Sequence, residues 1–329
     1  MENNKVVILH NEISDNPTID ELDVLDQVKI VDKSLIQLGY NTQILSFSLA
    51  IDKVIEKLKE IKPAFIFNLV ESINNDGQLV HIAPSIFDYL RIPYTGCSKE
   101  STFLTSNKLI TKKMMELYAI RTSEWVTIDD ENDNTFIKDE KYIIKAVWED
   151  ASIGLEDDNV ILPKSKEDLI QQIKIKNQKL NLEFFAERYL HGRDLSIPIL
   201  AGKLLPTREM QFIDYPEDKV KVLGYKAKWE KETDEYDKTE ITFEFKEEDK
   251  ELLSEVAEMA KKCWDKFNLS GYARIDFRTD ENDKPYVLEI NPNPCIAEDT
   301  AFYLALEEAG ITYTDAIKAI IDDIKNVYK

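Results

Sequence analysis

Four polar residues towards the C-terminus have the types and the spacing needed to hold a metal ion. Arg274 and Asp276 are two residues apart in one apolar segment, and Glu289 and Asn291 are two residues apart in the next. Because side chains alternate along a β-strand, the members of each pair share one face. The polar loop between the segments lets them pair as a hairpin. The spacing therefore predicts three oxygen-bearing side chains beside an arginine.

Carboxylate and amide oxygens suit Mg²⁺, which keeps several waters and bridges to substrate phosphates. We interpret Asp276, Glu289 and Asn291 as the ligands of magnesium that binds ATP, with Mn²⁺ as a second option. For any one of these residues alone, a solvated strand face is the ordinary alternative. That alternative is weakened because all four residues alternate and Pro292 follows the last of them.

Bound phosphates also need cations and backbone donors. Lys108 and Lys145 are candidates, and Lys145 lies inside the apolar stretch 142–147. A lysine there either points into a cleft, or is paired, or protects an edge strand from aggregation. The loop 149–154, with Ser152, could fold over phosphates through its amides, although an ordinary turn would also explain its glycine. Asp194 follows a strand and a turn, where an acid could accept from ribose or simply be exposed.

The N-terminal third alternates between strand and helix patterns, which predicts a parallel sheet with right-handed crossovers. In such sheets ligands collect at the carboxyl ends of the strands, here near His10 and near 68–71. The strands are predicted at 6–9, 41–47 and 63–69, and the helices at 19–38, 51–61 and 81–90.

The rest of the chain is predicted to mix helices with strands that pair locally. The proline and glycine of the stretch 92–96 mark a plausible first boundary. Helices are predicted at 106–118, 247–267, 300–309 and 314–328, and strands at 142–147, 160–162, 184–187, 194–200, 271–278 and 286–290.

Composition excludes several classes of protein. The 329 residues exceed one ordinary core, so two or three units are expected. A formal net charge of -21 argues against nucleic-acid and anionic-membrane partners, because both carry negative charge. Cys97, Cys263 and Cys295 are widely spaced and imply no disulfide framework. Without a leader pattern or a membrane-length apolar run, a cytoplasmic location is expected.

In chain order these segments resemble the ATP-grasp superfamily and, within it, the D-alanine–D-alanine ligases. Each match is modest alone, and their common order is the evidence. The matching stretches are Phe67-Asn68-Leu69, Asp76-Gly77, Ile92-Pro93-Tyr94-Thr95-Gly96, Asn107-Lys108, Thr111-Lys112, Ser152-Ile153-Gly154, Glu187, Gly192-Arg193-Asp194, Tyr225-Lys226-Ala227-Lys228, Arg274-Ile275-Asp276 and Glu289-Ile290-Asn291.

The resemblance implies an α/β fold that becomes α+β in its C-terminal half. It divides the chain into an N-terminal parallel-sheet domain (1–97), a central ATP-grasp subdomain (98–182) and a C-terminal ATP-grasp and metal-binding domain (183–329). ATP would lie between two antiparallel sheets of the second and third domains.

The resemblance also implies roles for single residues. Lys108 and Lys145 would contact adenine and phosphates, and Lys228 would add a phosphate contact from a mobile loop. Glu187 would lie by the adenine and Asp194 by the ribose, with about two magnesium ions on the oxygen ligands. Arg274 resembles the arginine that stabilises a tetrahedral oxyanion. The implied reaction activates a carboxylate as an acylphosphate and joins it to an amine, releasing ADP and phosphate.

The chain departs from these ligases where their amino acid substrates bind. It has Glu71-Ser72 in place of a histidine-glycine pair, Ala151 in place of a serine, and Trp229 in place of a tyrosine. Asn293-Pro294-Cys295-Ile296 replaces a proline-glycine-methionine-threonine stretch. Buried polar groups decide substrate selection, so these losses predict substrates other than two D-alanines. Glu71, Trp229 and Cys295 are the candidate substrate contacts.

Other functions stay open at this stage. A small-molecule kinase would share the ATP site, and Arg274 favours ligation only weakly. A non-catalytic nucleotide-binding protein is the second alternative, although it would not need metal-bridging geometry. For Cys295, a small buried residue is a stronger interpretation than a nucleophile. The expected partners are small carboxylate and amine substrates, and a homodimer is left open.

Overall fold

The computed structural model describes residues 4–14, 17, 19–74, 76–129, 136–148, 159–215, 220–222 and 238–327. Its N-terminal part contains strands β1 (Lys5–Asn11), β2 (Asn41–Phe47) and β3 (Phe65–Leu69) and helices α1 (Ile19–Gln37), α2 (Ile51–Ile61) and α3 (Ile82–Leu90). The strands form a parallel sheet in the order β2-β1-β3. This is the sheet that the alternating pattern predicts.

Strand β1 is central and apolar on both faces, as expected where helices cover a parallel sheet on both sides. Val6 and Ile8 face a core that α1 shares with the C-terminal helices. Val7 and Leu9 face a second core, built with α2 and α3. The carboxyl ends of β1 and β3 are therefore held rigidly from both sides.

The central part begins with two helices, α4 (Lys99–Ser106) and α5 (Lys108–Leu117). The helix predicted at 106–118 is present as α5 and starts two residues later, because the Asn107 side chain accepts a hydrogen bond from the Ile110 amide (2.8 Å) and caps it. A four-stranded sheet in the order β4-β7-β5-β6 follows, made of β4 (Trp125–Val126), β5 (Tyr142–Ala146), β6 (Val160–Ile161) and β7 (Phe184–Arg188), with α6 (Lys166–Leu180) packed on β7.

The C-terminal part is built on a larger antiparallel sheet. Its order is β11-β10-β8-β12-β13, and β9 pairs with β8. The strands are β8 (Asp194–Leu200), β9 (Lys203–Leu204), β10 (Arg208–Phe212), β11 (Thr239–Thr242), β12 (Tyr272–Thr279) and β13 (Pro285–Pro292), and the helices are α7 (Lys250–Lys266), α8 (Ala301–Glu308) and α9 (Tyr313–Val327).

A close backbone approach joins the N-terminal part to the C-terminal sheet. Gly96 and Gly271 both have positive φ, and a Cβ on Gly271 would lie 2.7 Å from backbone atoms of Gly96. Only glycine tolerates both the conformation and the contact. The Asn293 side chain accepts from the Cys97 amide (2.9 Å) beside this contact. The segment that follows β13 is thereby fixed against the N-terminal part.

The predicted combination of a parallel N-terminal sheet with two antiparallel sheets is confirmed. The boundaries at residues 97 and 182 stay a prediction. No helix in the described part of the chain is both long and apolar enough to cross a membrane.

Candidate functional site

The register of β12 and β13 brings the four predicted metal-site residues together. Arg274 stands opposite Asn291, and Asp276 stands opposite Glu289. Arg274 Nε and Nη2 donate to the two oxygens of Asp276 at 2.7 and 2.8 Å. Asn291 Nδ2 donates to Asp276 at 2.8 Å and lies 3.5 Å from Glu289 Oε1. The expected cluster of three oxygen-bearing side chains beside an arginine is present.

The chemistry of this donor set fits a hard divalent cation. Asp276 and Glu289 supply carboxylate oxygens and Asn291 an amide oxygen, all partly buried on one sheet face. No group of three His, Cys, Asp or Glu side chains suited to a metal occurs among the described residues, and here the third donor is an asparagine. Burial alone would lower the pKa of Arg274, but the charges of Asp276 and Glu289 outweigh it and raise that pKa. The guanidinium therefore stays charged beside the carboxylates.

The two lysines predicted to contact the nucleotide are both paired with carboxylates. Lys108 Nζ lies 3.8 Å from Glu289 Oε2, and the Lys108 amide donates to the Val147 carbonyl (3.0 Å). The start of α5 is thereby tied to the end of β5, which carries Lys145. Lys145 is paired and only 16% exposed. This favours the interpretation of a paired lysine over that of a solvent-facing lysine that protects an edge strand.

The ammonium of Lys145 contacts Glu187 on the neighbouring strand. Lys145 Nζ is 2.5 Å from Glu187 Oε1, and Lys112 Nζ is 2.7 Å from Glu187 Oε2. Burial alone would raise the pKa of Glu187, but the two ammonium groups outweigh it and lower that pKa to about 2. Glu187 is therefore a buried, ionised carboxylate between two cations.

Asp194 begins β8 and is held by a neighbouring strand. It stands opposite Arg278 of β12, whose Nη1 donates to Asp194 Oδ2 at 3.2 Å. The Asp194 side chain is 19% exposed, so it keeps access to solvent. Its proposed contact with ribose stays a prediction.

A second cluster joins α1 to the segments that follow β3 and β13. Cys295 Sγ donates to Asp23 Oδ2 (2.8 Å), although the two residues are 272 positions apart. Gln27 Nε2 donates to Glu71 Oε1 (2.7 Å), and Gln27 Oε1 accepts from the Ile296 amide (3.2 Å). Two of the predicted substrate contacts, Glu71 and Cys295, therefore lie in one hydrogen-bonded group, which we call the substrate-end cluster.

The thiol in this cluster is not set up as a nucleophile. Burial, reinforced by the nearby charges of Glu71 and Asp23, raises the pKa of Cys295 well above that of a free thiol. A reactive cysteine needs the opposite shift, because the thiolate is the attacking form. The structure thus favours the interpretation of Cys295 as a largely buried, protonated group.

Known proteins resemble this chain in sequence and in fold. The family described as D-ala D-ala ligase C-terminus matches residues 111–322. The chain belongs to the D-alanine–D-alanine ligase family. It is 28% identical over 273 residues to D-alanine–D-alanine ligase B of Clostridium perfringens, covering 83% of this chain and 84% of that one. With the D-alanine–D-alanine ligase of Aquifex aeolicus it shares 28% identity over 296 residues, covering 89% and 92%.

The fold agrees as well. A D-alanine–D-alanine ligase from Bacillus anthracis, solved in complex with ATP, superposes with a TM-score of 0.73 at 19% identity and covers 98% of both chains. The expected ATP-grasp fold is therefore confirmed. Membership in this ligase family makes the chain an ATP-dependent, ADP-forming carboxylate–amine ligase.

Three predicted site residues of this ligase lie outside the described residues. They are Ser152 of the predicted phosphate loop and the pair Lys228 and Trp229 of the predicted mobile loop. Their roles stay predictions that rest on the resemblance alone.

Several residues of this ligase contact the predicted site residues, although no sequence pattern assigned them a role. Lys112 is buried against Glu187, Arg278 holds Asp194, and Asp23 and Gln27 complete the substrate-end cluster. A signal for Lys112 was available, because it falls on the buried stripe of α5 with Lys108 and Met115. A lysine on such a stripe needs a partner. No local signal marked Asp23 or Gln27.

Proposed function

We propose that this ligase uses magnesium and ATP to activate the carboxylate of one amino acid and joins it to the amine of a second. The observation that carries the proposal is the paired register of Arg274 with Asn291 and of Asp276 with Glu289, because three oxygen-bearing side chains and a guanidinium share one sheet face. A pure nucleotide binder would not need that combination. Asp276, Glu289 and Asn291 would hold the metal, which would supply positive charge against the phosphates.

The chain's own residues divide the remaining work. Asp276, Glu289 and Asn291 would hold about two magnesium ions. Lys108, Lys145 and the loop residues Ser152 and Lys228 would hold the phosphates, while Glu187 and Asp194 would bind the adenine and the ribose. Arg274 would stabilise the oxyanion that forms when the amine attacks the acylphosphate. In the structure Arg274 is paired with Asp276 and Lys145 with Glu187.

In this reaction a carboxylate oxygen attacks the γ-phosphorus of ATP, and the bond from that phosphorus to the bridging oxygen breaks to release ADP. The amine nitrogen then attacks the acyl carbon, a proton leaves the nitrogen, and inorganic phosphate departs. Arg274 would act in the second step, where negative charge develops on the former carbonyl oxygen. A kinase would stop after the first step, so amide formation distinguishes the two functions.

The identity of the two amino acids is the finer part of the proposal. The prediction that they are not two D-alanines gains no support from the comparisons, because the relatives carry the name D-alanine–D-alanine ligase. The substrate-end cluster supports it, because Glu71 and Cys295 present a carboxylate and a thiol to the cluster. A substrate binds well only if it leaves no polar group of the site without a partner, so a different set of polar groups selects different substrates. We propose that Glu71, Cys295 and Trp229 select a different pair.

Substrate pools test both parts of this proposal. The protein is incubated with ATP and Mg²⁺ plus D-alanine alone, pooled D-amino acids, or pooled L-amino acids and dipeptides. Phosphate release and mass spectrometry of the products are then recorded. We expect ADP and an amide product from a pool and little from D-alanine alone. Efficient D-alanyl-D-alanine formation would contradict the proposed change of substrates and would still support the proposed ligase reaction. Release of ADP without any amide product would favour a kinase. If no pool led to release of ADP, the proposed ATP-consuming reaction would be contradicted.

A further inference from the structure

The buried ammonium of Lys112 has no role in the reaction described above. Its side chain is 1% exposed, and that of its partner Glu187 is 2% exposed. An unpaired charge in such a place would be strongly destabilising, so the pair is either structural or serves the neighbouring cleft. The surroundings of Lys112 decide between these two interpretations.

The two oxygens of Glu187 have different partners. Oε2 is held at 2.7 Å by Lys112 and at 3.2 Å by the Ser123 hydroxyl, on the buried side. Oε1 is contacted at 2.5 Å by Lys145, which is the more exposed of the two lysines at 16%. One oxygen is thus fixed inside the protein, and the other meets the lysine that borders the cleft.

Lys112 is itself held in place on several sides. Its Nζ lies 2.8 Å from the Thr122 hydroxyl and 3.1 Å from both the Ser123 carbonyl and hydroxyl oxygens. Thr122 in turn donates to the Val287 carbonyl (2.9 Å) of β13, two residues before Glu289. The network thereby connects the carboxylate of the central sheet to the strand that carries the metal ligands.

The charges of this network do not cancel. Burial lowers the pKa of Lys112, and the charge of Glu187 opposes that shift. With both lysines protonated, the network holds two positive charges and the one negative charge of Glu187. Because Lys112 already neutralises the buried carboxylate, Lys145 is not required for that purpose. Its ammonium can turn towards an anionic ligand at little electrostatic cost. Without Lys112, the same ammonium would be the one counter-ion left to this buried carboxylate among the described residues.

We propose that Lys112 is a positioning residue for the nucleotide. It holds Glu187 charged and oriented, so that Glu187 Oε1 can accept from the adenine amine while Lys145 is released to the phosphates. The inference rests on the proposed function, which puts Glu187 and Lys145 in the ATP site. It adds that the affinity for ATP and the preference for adenine depend on a residue that does not itself touch the nucleotide.

Direct binding measurements test this role without knowledge of the amino acid substrates. The dissociation constants of ATP and of inosine triphosphate, each with Mg²⁺, are measured by calorimetry for wild type, Lys112→Met, Glu187→Gln and the double variant. Inosine carries a carbonyl where adenine carries an amine, so a carboxylate acceptor disfavours it. Lys113→Met, on the exposed side of α5, is the matched control.

We expect Lys112→Met to weaken ATP binding about tenfold and to reduce the preference for ATP over the inosine nucleotide. The reason is that Glu187, no longer held by Lys112, loses its charged hydrogen bond with the adenine amine. Lys113→Met should change neither quantity. In the Glu187→Gln background, Lys112→Met should have little further effect on the preference, because Lys112 acts through Glu187. If Lys112→Met alone fails to fold, Lys112→Gln, which keeps a hydrogen-bond donor but not the charge, takes its place in the cycle.

Three results would overturn the inference. The first is a folded Lys112→Met protein with lower thermal stability but unchanged ATP affinity and base preference, which would make the lysine purely structural. The second is an undiminished effect of Lys112→Met on base preference in the Glu187→Gln background. The third is a Glu187→Gln protein that binds both nucleotides like wild type, which would contradict the proposed ATP site itself.

Discussion

The predicted metal site, which we call the metal end, and the substrate-end cluster are built in different ways. At the metal end, Arg274, Asp276, Glu289 and Asn291 come from two strands adjacent in sequence, and their side chains meet through charged contacts. The substrate-end cluster instead draws Asp23 and Gln27 from α1 to the segments after β3 and β13. One end depends on local strand register, and the other on the packing of distant segments.

This difference bears on how each end can vary. The alternation of buried and polar side chains specifies the register of β12 and β13. A single substitution at the metal end therefore removes one predicted ligand and leaves the pairing of the two strands unchanged. The substrate-end cluster is held by a thiol–carboxylate and two amide contacts between separate elements. Its composition can therefore change while the nucleotide site is kept. The four substitutions below should show an effect that falls from the metal end to the substrate end.

The largest effect is expected for Glu289→Gln. The change replaces the carboxylate of a predicted metal ligand by a neutral amide of the same size, so the site would hold magnesium less tightly. ADP release should fall to the level without enzyme, while circular dichroism and melting temperature stay close to wild type. Glu281→Gln, in the exposed loop between the same two strands, is the control. Substantial turnover in Glu289→Gln would contradict the metal assignment.

Arg274→Lys should have the next largest effect. Lysine keeps the charge but cannot reproduce the two parallel hydrogen bonds to Asp276 or the fixed direction of the guanidinium. We expect kcat for amide formation to fall about a hundredfold, the loss typical of one oxyanion donor. ATP affinity should change far less, and exposed Arg91→Lys should leave both unchanged. An equal loss of ATP affinity would assign Arg274 a structural role instead.

Glu71→Gln should affect the binding of an amino acid substrate and leave the binding of ATP unchanged. The hydrogen bond from Gln27 can persist, whereas the negative charge is lost. We expect the KM of an amino acid substrate to change by about tenfold, while the dissociation constant of ATP stays as in wild type. Glu60→Gln, exposed at the end of α2, is the control. A change confined to ATP affinity would show that Glu71 does not belong to the substrate end.

Cys295→Ser should have the smallest effect on catalysis. Because the pKa of this thiol is raised well above its usual value, it stays protonated at neutral pH and supplies no nucleophile. A serine hydroxyl can donate to Asp23 in its place, so turnover should remain near that of wild type. Iodoacetamide should leave Cys295 unmodified in the folded protein at neutral pH. Loss of turnover in Cys295→Ser together with rapid alkylation of wild type would establish a catalytic thiol.

Much of the fold followed from local patterns. The strands at 41–47 and 194–200 and the helix at 51–61 have the predicted limits, because alternation and helical spacing are local properties. Helix α4 was missed since its Ser- and Thr-rich sequence has weak helix propensity, and the tertiary contact of Ser101 with the Phe267 carbonyl (2.9 Å) holds it. Helix α6 was also missed, although Ser165, whose side chain accepts from the Asp168 amide, is a typical first residue of a helix and marked its start.

The sequence by itself determined the metal end, because a two-residue spacing on each of two adjoining strands leaves one face on which the side chains can meet. Only the tertiary structure decided which charges are buried and what faces them. Lys112 is buried because Glu187 lies across from it, and Cys295 meets Asp23 because α1 packs beside the segment after β13. Such contacts depend on where separate elements pack, and no periodicity within one element encodes that position.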